Sequence, residues 1–318
     1  MLLDFSKHKI LIVGDIMLDK YYFGQVERIS PEAPVPIVNI RKEESRPGGA
    51  SNVANNIASL GGNVILCGCV GHDLFGKELE RIIRDRHIET CLLKTDSPTI
   101  TKARIIGGKQ QIVRLDYEDK LVLTPEKEKE AEKAIRDILP GCSILVLSDY
   151  GKGFISDNFC RKLIQLAQKA GIPIVIDPKG KEWDKYAGAG IITPNVKELS
   201  DIVGYIVPNE DKAIEEAAGK IIREKHLSTL LVTRSEKGMS LVTETQSVHL
   251  PTHSQEVFDV SGAGDTVVAT LSLCIANGYP VTEAMKIANI AAGIVVKKLG
   301  TATLSIEELQ EGIKNFGS

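Results

Sequence analysis

Asp259–Thr270 reads DVSGAGDTVVAT, a glycine-rich turn that runs directly into an apolar segment with helical spacing. The turn Gly262-Ala263-Gly264 lets backbone N–H groups point into open space at a helix N-terminus, where the helix dipole favours an anion. Asp265 follows at once, and a carboxylate beside an anion pocket suits a base that takes a proton from an attacking hydroxyl. That chemistry is phosphoryl transfer to an alcohol. The alternative for this segment alone is an ordinary helix start with Asp265 as a first-turn acid.

Size and composition indicate a globular enzyme. With 318 residues the chain can form one large α/β domain or two ordinary ones. The net charge of -3 does not indicate the excess of basic residues that is typical of nucleic-acid-binding proteins. The strand-like run 9–13 leaves no room for a signal peptide before it, and no apolar stretch is long enough to span a membrane. We therefore expect a cytoplasmic enzyme with no nucleic-acid or membrane partner.

The cysteines do not form a recognisable site. All six are scattered, and the sequence contains no CxxC pair and no Cys/His cluster with zinc spacing. We expect reduced, buried thiols in apolar segments.

Short β-rich runs alternate with helical segments over most of the chain. These runs are 9–13, 63–70, 144–147, 174–176, 191–193 and 230–233, and a hairpin-like region follows at 239–250. Their alternation with helices predicts a three-layer α/β/α core around a mostly parallel sheet. Two segments, about 16–45 and 99–117, break this rhythm with extended or hairpin-like strands. We expect them to form one small sheet, the lid sheet, inserted into a single domain of residues 1–318.

Polar residues follow several of the predicted strands. They are Asp15, Asp19, Ser148-Asp149-Tyr150-Gly151, Asp177, Asn195-Val196-Lys197-Glu198 and Arg234-Ser235-Glu236. Any one of them could be an ordinary turn or cap residue. Ligands of open parallel sheets bind beyond the carboxyl ends of the strands, so this edge is the predicted site.

Three motifs resemble those of the ribokinase-like (PfkB) carbohydrate kinases. Gly48-Gly49-Ala50-Ser51-Asn52, with Gly61 and Gly71 downstream, resembles the first family signature. Residues 259–265 match the second signature, and Asn195-x-x-Glu198 between them resembles the NxxE motif. The resemblance covers essentially the whole chain. It implies a ribokinase-like α/β/α fold with a β-sheet lid, and a sugar kinase that uses ATP and Mg²⁺.

Within this family the heptose 7-phosphate kinases are the most similar subfamily. The resemblance rests on residues 27–36 (ERISPEAPVP), 148–153 (SDYGKG) and 177–180 (DPKG). It implies phosphorylation of the anomeric (C1) hydroxyl of D-glycero-β-D-manno-heptose 7-phosphate to the 1,7-bisphosphate, towards ADP-heptose and the lipopolysaccharide core. In many bacteria such a kinase is the N-terminal half of a bifunctional protein with a nucleotidyltransferase half. The alternatives are a kinase of this family for another sugar or sugar phosphate, and a non-catalytic sugar-phosphate sensor.

The resemblance also implies roles at the nucleotide side. Asp265 matches the catalytic base, and the N–H groups of Gly262, Ala263 and Gly264 match the anion hole. Glu198 matches the acidic residue that organises Mg²⁺ through water. The implied ATP contacts are Asn195, Glu198, Thr233, Ser235, Gly238 and Asn289. Ser235 departs from the family pattern because it replaces the first glycine of a TxGxxG loop.

The acceptor contacts are implied in the same way. They are Asp15, Asp19, Gly48, Gly49, Asn52, Asp149 and Lys179. An acceptor that bears a phosphate also needs cations, and the predicted lid hairpin contains Lys102, Arg104, Lys109 and Arg114. Arg104 is the favoured ligand, because a guanidinium binds phosphate through two parallel hydrogen bonds.

The lid sheet further predicts a homodimer. Small exposed sheets leave unpaired edges, and pairing two lid sheets across a two-fold axis would cover them. The apolar residues Val35, Ile37 and Ile105 motivate this expectation.

Overall fold

The computed structural model describes residues 3–108, 110–252 and 257–316; Lys109, one of the predicted lid cations, lies outside them. The strands are β1 (Lys9–Gly14), β2 (Ile16–Ile29), β3 (Pro36–Gly49), β4 (Asn63–Gly71), β5 (Glu89–Thr95), β6 (Thr101–Gly107), β7 (Gln110–Tyr117), β8 (Ile144–Ser148), β9 (Ile174–Asp177), β10 (Ile191–Ile192), β11 (Thr229–Thr233), β12 (Met239–Thr243) and β13 (Ser247–Leu250). The α-helices are α1 (Ala50–Ser59), α2 (Leu74–Asp85), α3 (Pro125–Ile138), α4 (Asp157–Lys169), α5 (Val196–Val203), α6 (Asp211–Lys225), α7 (Ala263–Ala276), α8 (Val281–Val295) and α9 (Ile306–Phe316).

A nine-stranded sheet of order β13-β12-β11-β10-β9-β8-β1-β4-β5 forms the core. From β11 to β5 all neighbours pair in parallel, and β12 and β13 add an antiparallel edge. The strand order changes direction at β1, which lies between β8 and β4. A crevice at the carboxyl ends of such strands is where α/β sheets bind ligands.

Helices cover both faces of the core sheet. The side chains of β1 alternate between these two faces, and both sets are buried. Ile10 and Ile12 pack with α1, α7 and α8, whereas Leu11 and Val13 pack with α3, α4 and α6. Strands buried on both faces read as continuous apolar runs, as this one does. The predicted fold class is confirmed.

The lid sheet is a separate four-stranded sheet of order β3-β2-β6-β7. Strand β2 begins two residues after β1 ends, and β3 ends at Gly49, where α1 begins. The lid sheet is therefore anchored directly above the carboxyl end of β1.

One core strand, β5, has no counterpart among the predicted strands. It pairs in parallel with β4 at the edge of the core sheet. Its sequence, ETCLLKT, has neither a β-branched run nor strict alternation, so the pairing with β4 rather than local pattern places it there. Among the described residues, no helix is both long and apolar enough to cross a membrane.

Candidate active site

Two adjoining cavities lie at the carboxyl end of the core sheet, and a third lies beside the lid sheet. The central cavity, of about 200 Å³, is lined by Asp177, Glu198 and Asp265 together with the glycine turn 262–264. The α8 cavity, of about 520 Å³, lies between the loop 233–239 and α8. The lid cavity, of about 580 Å³, lies between the lid sheet and residues 258–261. The predicted catalytic and ATP-binding residues and Lys179 line the central and α8 cavities, and Arg104 lines the lid cavity.

Asp265 is a buried carboxylate with one donor on each oxygen. It is 5% exposed, in the first turn of α7. Asn52 of α1 donates to Oδ2 at 2.6 Å, and the Tyr150 hydroxyl donates to Oδ1 at 2.5 Å. Burial raises the pKa of Asp265 to about 6, while these two hydrogen bonds oppose the rise and Asp19 adds to it. A carboxylate with this pKa can accept a proton near neutral pH.

The glycine turn presents backbone donors beside that carboxylate. Gly262 has φ 78° and caps α7, and a Cβ there would lie 2.9 Å from the Asn52 amide nitrogen. Within the described residues the N–H groups of Gly262 and Gly264 have no hydrogen-bond partner. The Ala263 N–H donates instead to the Val260 carbonyl at 3.2 Å. An anion at this helix start could therefore accept hydrogen bonds from the Gly262 and Gly264 N–H groups, and the helix dipole would stabilise its charge.

The NxxE motif forms the N-terminus of α5. Asn195 and Glu198 make a capping box, in which each side chain accepts a hydrogen bond from the other's backbone N–H. The second carboxylate oxygen of Glu198 pairs with Lys179 Nζ at 2.8 Å. Lys179 therefore lines the central cavity with Glu198. The Lys179 ammonium is thus held beside the NxxE motif, and its contact with the acceptor stays a prediction.

Asp177, at the end of β9, has a carboxylate that receives no hydrogen bond from any described residue. It lines the central cavity with Glu198. Desolvation raises the pKa of Asp177 well above its usual range, and Asp265 and Glu198 raise it further. An unpartnered carboxylate next to a second carboxylate fits a hard cation with oxygen ligands, such as Mg²⁺.

The α8 cavity holds the remaining predicted nucleotide contacts. Thr233, Ser235, Gly238 and Asn289 all line it, and the Asn289 amide donates to the Pro251 carbonyl at 2.7 Å. Ser235, at the position where the family motif has glycine, adopts φ 52°. Gly238 has φ 79°, and a Cβ there would lie 2.0 Å from the Leu250 carbonyl. The loop thus keeps a left-handed backbone at both positions, and only Gly238 is sterically required to be glycine.

Asp15 and Asp149 are both hydrogen-bonded to the loop that follows β8. Asp15 accepts backbone N–H groups from Tyr150, Lys152 and Phe154. Asp149 accepts from the Gly151 N–H, Lys185 Nζ and the Tyr186 hydroxyl. These bonds tie Asp15 and Asp149 to the conformation of the loop 149–154, and their contact with the acceptor stays a prediction.

Asp19, Gly48, Gly49 and Asn52 do lie together. Asp19 is 5% exposed, and a Cβ on Gly48 would lie 2.5 Å from its Oδ2. Gly49 has φ 55° and leads into α1, which places Asn52 against Asp265. The buried Asn52 Oδ1 atom has no hydrogen-bond partner among the described residues. A buried free acceptor next to the base suits a ligand hydroxyl.

The face of the lid sheet that looks towards the core, the inner face, is rich in cations. Its rows across β3, β2, β6 and β7 contain Lys42, Arg46, Lys102, Arg104 and Arg114, together with Asp19, Glu44 and Asp116. Arg104 pairs with Asp19 at 2.5 Å. The guanidinium carbons of Arg46 and Arg104 lie 5.1 and 5.2 Å from the ring centre of the buried Tyr21. The structure therefore brings Lys102, Arg104 and Arg114 together as expected.

Sequence reasoning missed Arg46 and Tyr21. Arg46 precedes the first glycine signature, and it reaches the inner face only because β3 pairs antiparallel with β2, opposite Asp19. In the part of the chain that the structure describes, the buried Tyr21 hydroxyl has no hydrogen-bond partner. The alternation of Asp19, Tyr21 and Phe23 along one strand was the available signal, but its direction depends on the sheet pairing.

Residues 7–309 match the family model described as "pfkB family carbohydrate kinase". The chain is 46% identical over 314 residues to Bifunctional protein HldE of Proteus mirabilis, and 45% identical over 312 residues to that of Haemophilus influenzae. Each match covers 98% of this chain but 65% and 64% of the relatives, so the chain spans less than two thirds of their length.

Two solved structures share the fold. Phosphofructokinase-2 from Escherichia coli, in complex with potassium, superposes with a TM-score of 0.83 at 21% identity, covering 98% of this chain and 100% of the other. Ribokinase from Arabidopsis thaliana, with ribose and ATP, superposes with a TM-score of 0.75 at 19% identity, covering 96% and 99%. At these identities the likeness concerns the fold alone.

Because the pKa of Asp177 is raised, we predict that Asp177→Asn changes the melting temperature of the protein in the absence of nucleotide and metal. A carboxyl whose native pKa is raised favours the native state fully below its unfolded pKa, and this contribution is lost as pH rises towards the native pKa. Asparagine carries no charge, so it avoids the cost of burying the ionised Asp177 carboxylate. The variant should therefore melt several degrees above the parent at pH 8, with a smaller gain at pH 5.

Calorimetric melting at the two pH values, in the presence of a chelator, measures the effect. Asp137→Asn, on the exposed face of α3, is the matched control and should melt like the parent at both. A gain for Asp177→Asn that grew towards pH 5 would contradict the prediction.

Proposed function

Because the chain belongs to the pfkB family of carbohydrate kinases, we propose that it transfers the γ-phosphoryl group of ATP to the anomeric hydroxyl of D-glycero-β-D-manno-heptose 7-phosphate. The product is the 1,7-bisphosphate, which in bacteria leads towards ADP-heptose and the lipopolysaccharide core. The observation that carries the proposal is the buried Asp265 carboxylate, which lies beside two free N–H groups and below a cationic lid face.

The chemistry follows from these neighbours. Asp265 accepts the proton of the acceptor hydroxyl while that oxygen forms its bond to the γ-phosphorus and the bond to the β–γ bridging oxygen breaks, releasing ADP. The N–H groups of Gly262 and Gly264 stabilise the charge that develops on the transferring group. Preset donors of this kind each contribute about 3 kcal/mol to the transition state.

The α8 cavity suits the nucleotide. Its wall is apolar at Val257, Val260 and Val296, as an adenine ring requires, and it opens towards the central cavity at Thr233 and Gly264. Asp177 and Glu198 are the residues that would hold Mg²⁺, directly or through water. When bound, that ion would neutralise charge on the phosphate oxygens.

The acceptor would lie between Asp265 and the lid sheet. Asp19 and Asn52 offer oxygen acceptors for sugar hydroxyls, and the absent side chains of Gly48 and Gly49 leave room for close approach. The phosphate at the far end of the sugar would meet Arg104, which lines the lid cavity, and Arg46, which lies near the same Tyr21 ring. These two cations favour a phosphorylated acceptor over a free sugar.

ADP release with ATP and Mg²⁺ tests the acceptor directly, over heptose 7-phosphate, free heptose, fructose 6-phosphate and ribose. Turnover confined to heptose 7-phosphate is expected. Turnover with another sugar would support a kinase of this family with a different substrate. ATP binding without turnover of any of the four sugars would favour a sugar-phosphate sensor.

Replacement of the base provides the first mechanistic prediction. Asp265→Asn keeps the shape of the side chain but cannot accept a proton, so kcat should fall by roughly 10²- to 10⁴-fold. The affinity for ATP, measured by calorimetry, should stay within a few-fold of the parent. Turnover at the parent rate would remove Asp265 from the role of base.

Replacement of the guanidinium tests the phosphate contact. Arg104→Lys keeps the charge next to Asp19 but loses the forked geometry, so the Kd for heptose 7-phosphate should rise about 10- to 100-fold. Binding of unphosphorylated heptose should change by less than about two-fold, because no phosphate is lost from that complex.

Arg81→Lys is the matched control, since Arg81 forms an exposed pair with Asp85 on α2. It should bind both sugars like the parent. Equal losses for the two sugars in Arg104→Lys would mean that Arg104 acts through Asp19 rather than on the phosphate.

We also propose that the protein is a homodimer through its lid sheets. On the face of the lid sheet opposite the inner face, Val113 and Leu115 are 44% and 42% exposed, and Ile40 and Val26 are also exposed. Strand β7 is an edge strand there, so a second copy would cover both unpaired backbone and apolar side chains.

Val113→Arg should therefore shift the mass at micromolar concentration from dimer to monomer, because it places a charge within the apolar contact. Light scattering coupled to gel filtration measures this. Val122→Arg, at an exposed valine outside the lid sheet, is the control and should remain dimeric. A parent protein that is already monomeric would overturn the dimer.

A further inference from the structure

The loop from β8 to α4, residues 149–155, is held in one shape by two buried aspartates. Asp15 accepts the backbone N–H groups of Tyr150 at 2.9 Å, Lys152 at 3.0 Å and Phe154 at 3.1 Å. Asp15 is 2% exposed. A buried carboxylate with three backbone donors fixes those peptide groups strongly, because moving any one of them would leave buried charge unsatisfied.

Asp149 braces the same loop from the other side. Its Oδ1 accepts the Gly151 N–H at 2.8 Å, and its Oδ2 accepts Lys185 Nζ at 2.6 Å and the Tyr186 hydroxyl at 2.7 Å. Gly153 has φ 107°, and a Cβ there would lie 1.9 Å from the Leu121 carbonyl. The backbone of this loop therefore has little freedom.

This rigid loop delivers one side chain to Asp265. The Tyr150 hydroxyl donates to Asp265 Oδ1 at 2.5 Å, while the Asn52 amide donates to Oδ2 at 2.6 Å. The two donors come from separate elements and hold one oxygen each. Together they define the plane of the carboxylate, and each oxygen keeps a lone pair for a further partner.

We propose that Tyr150 is a positioning residue for Asp265: its phenol, fixed by Asp15 through the loop, holds the carboxylate in the ionised state and in the orientation that receives the acceptor's proton. This inference rests on the proposed function. It assigns Asp15 and Asp149 a shared purpose, namely the support of Tyr150. The phenol donates its hydrogen bond and does not itself exchange a proton with the substrate.

The charges around Asp265 explain why such support is needed. Asp19 from β2 and Asp177 from β9 face it from two sides, and both interact unfavourably with its negative charge. Arg104 offsets the charge of Asp19. Tyr150 remains protonated, since burial and the neighbouring Asp265 raise its pKa well above the usual range. The phenol and Asn52 are thus the groups that lower the pKa of Asp265 against burial.

Tyr150→Phe tests the inference through the pH dependence of kcat. The acid limb of this profile reports the pKa of the base. Loss of one hydrogen-bond donor to the ionised carboxylate should raise that pKa and so move the limb to higher pH by about one unit. At pH 7 kcat should fall several-fold, and KM for ATP should change by less than two-fold. A limb that stays in place with an unchanged kcat would overturn the proposal.

Tyr186→Phe is the matched control, because it removes the same hydroxyl from a buried tyrosine that bonds to Asp149 rather than Asp265. A structural effect of losing a buried hydroxyl should appear in both variants as a lower melting temperature. Only Tyr150→Phe should move the acid limb. Equal movement in both would show that loop integrity, not the phenol, sets the limb.

Incorporation of 3-fluorotyrosine at position 150 gives an opposite and nearly isosteric change. Its more acidic phenol donates a stronger hydrogen bond, so the acid limb should move to lower pH. This variant also keeps the test available if Tyr150→Phe does not fold. Movement in the same direction as for Tyr150→Phe would overturn the proposal.

Carbon-13 NMR of aspartate carboxyls separates this inference from the proposed function. Asp265→Asn identifies the Asp265 signal, and its titration is then followed in the parent and in Tyr150→Phe without any substrate. An upward shift in Tyr150→Phe supports the positioning role even if no sugar of the panel is phosphorylated. An unshifted titration overturns that role even if heptose 7-phosphate is a good substrate.

Discussion

The proposed phosphoryl transfer depends on keeping one buried carboxylate, Asp265, ionised and oriented. Burial alone would protonate it, since a charge in a poorly solvated place is costly. Three elements meet to prevent this: α1 brings Asn52, the loop after β8 brings Tyr150, and α7 begins with the glycine turn. The helix dipole at the start of α7 adds to the same effect. Much of the surrounding polar structure follows from this requirement.

The aspartate carboxylates at neighbouring strand ends differ in their hydrogen-bond partners. Asp15 and Asp149 accept hydrogen bonds from protein donors on both oxygens and support a loop, whereas Asp177 accepts none from any described residue and lines a cavity. Asp19 lies between these cases, paired with Arg104 on the inner face of the lid sheet. Carboxylates of one residue type therefore differ in the donors that the surrounding elements bring to them. The NxxE motif has two contacts of its own, since it caps α5 and lines the central cavity.

Much of the fold was predictable because its signals are local. The apolar run of β1, the Thr124–Pro125 start of α3 and the glycine turn before α7 are each defined within a few residues. Strand β5 was not predictable, since its pattern is weak and its pairing with β4 defines it. In the site, Asp265, Gly262 and Gly264 were found from their motif. Arg46 and Tyr21 were missed because sheet pairing alone brings them to the inner face.

The sequence by itself determined the α/β class, the two insertions that form the lid sheet, and the turn that places an aspartate at a helix start. These depend on periodicity and backbone geometry, which act over short stretches of chain. Only the tertiary structure decided which polar groups are saturated and which are free. That outcome depends on contacts between distant segments, such as Asp15 with the loop after β8 and Tyr150 with Asp265, 115 residues apart.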